Sequence, residues 1–394
     1  MTKKQMSPSA QKLANIRTFH QELNSPRRDG STANAPLLLG IEATTRCNFR
    51  CVHCSQTFNT SMRLDLSLDL FQRILPVVDK AFELYLFGDG EVLLDIPRHL
   101  AMIAAIYRQD PECILGFSTN GKLLTPEVYE LYATAGIEYI QLSVDAATKE
   151  LYEAIRRGGD FDELVANLEG IADLRKRRGT TQPQLRLATI ISRQNYEQLP
   201  LLAEFARRYD FSYWYINAEY PHNPGRDLLR LTADDLTVLV GIKADITRHY
   251  SRHYLTVFDP CIGLAADIAE KWMDADLPVY CTIPWQRFEL KVNGDVKLCP
   301  YYHEPICSMN GKSLQKVWNG KEFREIRKAF ATGSGIPKHC AGCNRGLRRQ
   351  YLPGFPGLPD LESPCESGPH PADAKTRIGR ALRRRSIWRR LFSL

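Results

Sequence analysis

At 394 residues, 44% of them hydrophobic and 25% charged, the chain has the make-up of a soluble globular protein with two domains, or one barrel plus an appendage. No run of about 18 apolar residues occurs and the N-terminus lacks the apolar core of a secretory signal, which excludes a transmembrane helix and makes a cytoplasmic location the expectation. The formal charge of +7 is local: Lys375, Arg377, Arg380, Arg383, Arg384, Arg385, Arg389 and Arg390 lie together with no acid among them, leaving a near-neutral body and no basis for specific nucleic-acid binding.

In chain order, residues 1–36 form an N-terminal extension. Short apolar, β-branched runs then predict strands at 37–43, 82–87, 114–118, 139–144, 185–191 and 213–216. Between them, helical periodicity covers 68–81, 96–108, 126–135, 161–178 and 196–209. Strands alternating with helices imply parallel β/α units, and six of them suit an open barrel, a partial (β/α)6 barrel over residues 37–235. A helix at 233–250 leads into a second unit, residues 236–350. There Asn293-Gly294 between two apolar runs signals a hairpin, and 314–330 reads as a helix. Residues 351–394 are a Pro/Gly-rich linker and the basic tail.

The 11 cysteines are odd in number and clustered, which in a reducing compartment points to metal rather than disulfides. The first group, Cys47-x3-Cys51-x2-Cys54, follows the first strand, at the barrel face where active sites sit. Three thiolates hold three corners of a cubane cluster and leave the fourth iron open to a small molecule. Zinc prefers Cys-x2-Cys pairs with two further ligands, which this spacing matches poorly. His53, between two of the cysteines, packs there rather than ligating.

With this motif the sequence resembles the radical SAM superfamily, and the resemblance extends over residues 37–345. The family's Gly-Glu-Pro-type turn after the second strand appears as Gly88-Asp89-Gly90-Glu91-Val92, with Val in place of Pro. Polar residues close the third and fourth strands at Ser118, Asn120, Ser143 and Asp145, the ordinary chemistry of turns and caps when taken singly. The resemblance implies that Gly90, Glu91, Ser118, Asn120, Ser143 and Asp145 contact S-adenosylmethionine, and that Cys47, Cys51 and Cys54 hold a 4Fe-4S cluster. It implies cleavage of S-adenosylmethionine to a 5′-deoxyadenosyl radical that takes a substrate hydrogen, with an electron donor such as flavodoxin or ferredoxin.

The second group sets Cys281 and Cys299 about the hairpin and Cys340-x2-Cys343 on a knuckle beyond the next helix. Four soft ligands make a closed site, which by spacing alone suits zinc or iron–sulfur. The segments Lys291–Pro300, 314–319 and 323–327 resemble the SPASM/twitch extension of the same superfamily, which implies an auxiliary 4Fe-4S cluster on Cys281, Cys299, Cys340 and Cys343. The further cysteines of a full SPASM pattern fall on Arg349 and Pro353, so one auxiliary cluster is expected, as in the twitch-type dehydrogenases. Cys261, Cys307 and Cys365 read as ordinary thiols.

These features predict an oxidoreductase acting on a small molecule or glycan-type substrate. The alternatives are a peptide-modifying maturase, against which residues 1–36 are too short for a folded leader-binding domain, and a non-catalytic zinc module. Tyr220, His222, Asn223 and Arg226 offer polar substrate contacts with nothing to single one out. The basic tail interleaves Arg with Trp388, Leu391 and Phe392, suiting an anionic membrane surface or acidic partner as well as a solvated tail.

Overall fold

A computed structural model describes residues 8–58, 63–218, 231–258, 281–299, 304–337 and 340. Its strands are β1 (Leu38–Glu42), β2 (Glu83–Phe87), β3 (Ile114–Thr119), β4 (Tyr139–Ser143), β5 (Gln184–Ile191), β6 (Tyr213–Ala218), β7 (Leu255–Phe258), β8 (Arg287–Leu290), β9 (Asp295–Lys297) and β10 (Cys307–Ser308). They form one sheet in the order β10-β9-β8-β1-β2-β3-β4-β5-β6-β7. From β8 across to β7 every pairing is parallel, and β9 and β10 add antiparallel at one edge. The architecture is α/β, with the six expected strands in place.

Three features of the sheet and the N-terminal extension depart from the expectation. A seventh parallel strand, β7, follows the helix Ala233–Tyr250 and pairs with β6. Its four residues were too few to stand out. Strand β8 pairs in parallel with β1, Leu38 opposite Arg287 through Ile41 opposite Leu290, so the C-terminal unit continues the barrel sheet instead of starting its own. The extension holds a helix, Pro8–Asn24, that sequence reading left unassigned. Its apolar stripe is only Ile16, Phe19 and Leu23, which pack with Leu37, Trp285 and Phe330 in a minor core.

Several helices end where local chemistry dictates. Pro126–Ala135 is N-capped by the Thr125 hydroxyl and stopped by Gly136 at φ 82°. Phe161–Arg178 is capped by Asp160 and Gly179. The expected helix at 68–81 splits into Leu68–Gln72 and a 3₁₀ segment, Leu75–Lys80, with Pro76 in its first turn. The one expected at 314–330 splits at Asn319-Gly320 into Leu314–Trp318 and Lys321–Thr332.

Alternation along the strands separates two faces. On β2, Leu84 and Leu86 are fully buried in the core under the helices, whereas Glu83, Tyr85 and Phe87 are half-buried on the opposite face. That second face is polar and aromatic. Tyr139 of β4 reaches across β3 to stack near Tyr85 of β2, centroids 6.0 Å apart. The crossing needs Gly116, since a Cβ there would lie 2.2 Å from the Tyr139 ring. Arg186 of β5 lies 3.4 Å above the same ring, and Gln141 donates to the Tyr85 hydroxyl at 2.9 Å.

Candidate active site

The candidate residues of the barrel lie at or just beyond the C-terminal ends of β1 to β4. The loop after β1 carries Cys47, Cys51 and Cys54, none of them in a disulfide. Backbone bonds fix this loop to the segment after the fourth strand: the Arg50 N–H donates to the Arg157 carbonyl at 2.8 Å and Val52 N–H to Ile155 at 2.9 Å. Within the loop the Cys54 N–H donates to the Cys51 carbonyl at 3.1 Å, and Phe49, buried beneath it, donates its N–H to the Cys47 sulfur at 3.4 Å.

Burial pushes all three thiols up, Cys51 to about 12, and Cys47 and Cys54 add to the rise at Cys51. A bare thiolate here is therefore disfavoured, and coordination to metal, which deprotonates a thiol outright, offsets that cost. A buried cation also faces them. Burial works against the charge of Arg156, but Asp145 and the Cys51 sulfur outweigh it and push its pKa up. Among the described residues no three His, Cys, Asp or Glu side chains converge as ligands to one ion. The donor set fits a larger cluster beside positive charge.

After β2, the turn Gly88–Glu91 passes so close to the cysteine loop that a Cβ on Gly90 would lie 2.3 Å from the Arg46 carbonyl oxygen. The Glu91 N–H donates to that oxygen at 2.7 Å. The Glu91 side chain turns inward, 1% exposed, and accepts from Leu93 N–H (3.0 Å), Thr119 Oγ1 (2.8 Å) and Asn120 N–H (2.7 Å). Burial still raises its pKa, against those bonds. Asn120 donates its Nδ2 to Asn48 Oδ1 at 2.8 Å, joining the end of β3 to the cysteine loop.

Ser118 on β3 and Ser143 ending β4 are half-buried. Asp145 is fully buried, with Oδ1 accepting from Ile190 N–H at 2.8 Å and Oδ2 2.7 Å from Arg156 Nε and 3.6 Å from His53 Nε2. Burial lowers the pKa of His53, with Asp145 opposing. His53 thus faces Asp145. Glu91 and Asp145 both brace the loops around the cysteines. Sequence reading missed Arg156, because an arginine after a short helix carries no signal of burial.

Beside Cys54 lies a cavity of about 190 Å³, lined by Glu42, Thr45, Ser55, Asp89, Lys291 and Lys297. Lys291 reaches from the hairpin connection to ion-pair with Glu42 and, at 3.0 Å, with Asp89. Sequence reading passed over Glu42, although a carboxylate closing the apolar run Leu-Leu-Gly-Ile is a signal.

Of the auxiliary set, Cys281 and Cys340 are each half-buried against the minor core that contains Phe330. Cys299 follows β9. Cys307, on β10, is half-buried, and burial pushes its thiol up to about 11. Cys343, Cys261, Cys365, the 220–226 loop residues, Arg349, Pro353, the linker and the basic tail lie outside the described residues. Among the described residues no helix is long and apolar enough to cross a membrane.

The radical SAM superfamily model matches residues 41–206, and the SPASM iron–sulfur cluster-binding domain model matches residues 281–344. The PqqA peptide cyclase of Granulibacter bethesdensis is 33% identical over 332 residues, covering 80% of this chain and 81% of that protein. The mycofactocin maturase MftC of Mycobacterium tuberculosis is 29% identical over 359 residues, 87% of this chain and 86% of its own. The crystal structure of Streptococcus suis SuiB bound to precursor peptide SuiA overlays with a TM-score of 0.58 across 81% of this chain and 71% of that one; at 16% identity this is a likeness of fold.

Proposed function

The chain belongs to the radical SAM superfamily and carries a SPASM extension with its iron–sulfur chemistry, and from that premise we propose that it is a maturase that modifies a peptide. The observation that carries this reading is the 33% identity, over most of both chains, to a protein named as a peptide cyclase. A relative named as a maturase supports it. The preference thereby moves from the small-molecule or glycan-type substrate expected from sequence to the alternative held beside it.

In this reading Cys47, Cys51 and Cys54 hold the 4Fe-4S cluster, and Cys281, Cys299, Cys340 and Cys343 hold one auxiliary 4Fe-4S cluster. When bound and reduced, the first cluster supplies the electron that cleaves S-adenosylmethionine to a 5′-deoxyadenosyl radical. The backbone at Gly90 and the side chains of Ser118, Asn120 and Ser143 orient that cofactor. Glu91 and Asp145 position the loops, since their carboxylates are committed to protein donors. Arg156 offsets the negative charge of the cluster and its thiolates. The polar face of Tyr85, Gln141 and Arg186 offers hydrogen bonds to a peptide backbone.

The test is to reconstitute the protein anaerobically with dithionite and S-adenosylmethionine and to add the short peptides encoded beside its gene. A change in peptide mass matched by 5′-deoxyadenosine supports the proposal. Turnover of an aminocyclitol or sugar, with every peptide unchanged, would overturn it.

A further inference from the structure

The antiparallel register of β8 and β9 sets Glu289 opposite Lys297 and Leu290 opposite Val296. Extended by two residues, it brings Arg287 and Cys299 to the same end of the hairpin. The sulfur of Cys299 and the Tyr215 hydroxyl both act electrostatically on the Arg287 guanidinium, which in turn acts on Tyr85. Arg287 therefore stands between the polar face of the barrel and one thiol of the auxiliary set.

Its other partner is Glu289, only 2% exposed, whose Oε1 accepts from Arg287 Nε at 2.6 Å and lies 2.5 Å from Nη2. Glu289 leans toward β1, where Gly40 leaves room: a Cβ on Gly40 would meet Glu289 Cγ at 3.2 Å. Two contacts to one carboxylate oxygen fix the guanidinium at this end of the hairpin, across the extended register from Cys299. A guanidinium keeps its charge at all working pH values.

We infer that Arg287 is a positioning residue of the auxiliary centre, a fixed positive charge beside the cluster-bound Cys299 that raises the cluster's reduction potential, with Glu289 moderating it. The inference rests on the reading of Cys299 as a cluster ligand. Reduction adds one negative charge to the cluster, so a nearby cation favours the reduced form, and net charge is one of the levers that set such potentials. The consequence is an auxiliary cluster better able to accept an electron from the barrel side.

The experiment is an anaerobic redox titration of the reconstituted full chain followed by electron paramagnetic resonance, with iron counted for each variant. Arg287→Gln should move the auxiliary midpoint negative and leave the midpoint of the other cluster in place. Arg287→Lys should stay near wild type, and Glu289→Gln should move the auxiliary midpoint positive. If Arg287→Gln does not take up iron, the positive shift in Glu289→Gln still decides the matter. An unmoved auxiliary midpoint in fully loaded Arg287→Gln, or in Glu289→Gln where the former does not load, overturns the inference alone, provided Cys299→Ala loses that cluster. Retention of both clusters by Cys299→Ala overturns the ligand reading, and this inference with it.

Discussion

The ammonium of Lys291 rests against the carboxylate of Glu42, so that the C-terminal extension and the first barrel strand share one buried charge pair. Glu42 Oε2 also accepts from the Val292 N–H at 3.0 Å, and Asp89, on the Gly88–Glu91 turn, lies 3.0 Å from the same ammonium. Burial raises the pKa of Glu42, with Lys291 opposing. The pair ties together the strand that leads to the cysteine loop, the turn beneath that loop and the hairpin that leads to Cys299.

Removing only the cation should therefore be costly. Lys291→Met leaves a carboxylate uncompensated in the interior, a loss of about 3–5 kcal/mol. Thermal unfolding should fall on the order of 10 °C. The double variant Glu42→Gln/Lys291→Met should recover much of the loss, and a loss equal to the sum of the two single effects would refute the coupling.

His99 gives a pH signature. It is buried, paired through Nδ1 to the Tyr132 hydroxyl at 2.8 Å and set edge-on to Phe117, and burial holds its pKa down at about 3, against 6.5 for an ordinary histidine. As pH falls below about 6.5 the unfolded chain takes up a proton that the folded chain refuses. Stability is thus fully present above that pH and declines toward 3, by about 2 kcal/mol at pH 5. Denaturant unfolding of wild type and His99→Phe at pH 7.5 and pH 5 should show a shallower pH dependence in the variant by about that amount. Equal slopes would contradict it.

Gly116 tests the architecture of the polar face. Gly116→Ala places a methyl group 2.2 Å from the Tyr139 ring and must displace it from Tyr85 and Arg186. The expected cost is about 1–3 kcal/mol. Adding Tyr139→Leu should make the alanine nearly neutral, as read by chemical denaturation.

The two cysteine sets predict separable iron losses. Anaerobically reconstituted wild type should hold about eight irons. Cys54→Ala and Cys299→Ala should each hold about four, and each should retain the other cluster's signal. About four irons in wild type would refute the auxiliary site.

Much of this was legible in the sequence, for identifiable reasons. Strands β1 to β6 are buried on the helix side and read as apolar runs. The helices at 126–135 and 161–178 carry caps and periodicity at both ends. The cysteine loop and the Gly90-Glu91 turn show as motifs because their backbone must pass within van der Waals distance. What stayed hidden is tertiary. The parallel pairing of β8 with β1 depends on a strand almost 250 residues away along the chain, and no local pattern records it. Arg156 and Arg287 are ordinary arginines until the fold sets a carboxylate and a cysteine beside each. Pro76 and Asn319-Gly320 were visible, but periodicity ran through them and hid the breaks.

The most direct test of the account is 5′-deoxyadenosine formation by the anaerobically reconstituted chain with dithionite and S-adenosylmethionine, measured for wild type and Cys51→Ala. Wild type should form the nucleoside and the variant only background. Equal yields from the two, or a colourless wild-type protein holding zinc and no iron, would contradict it.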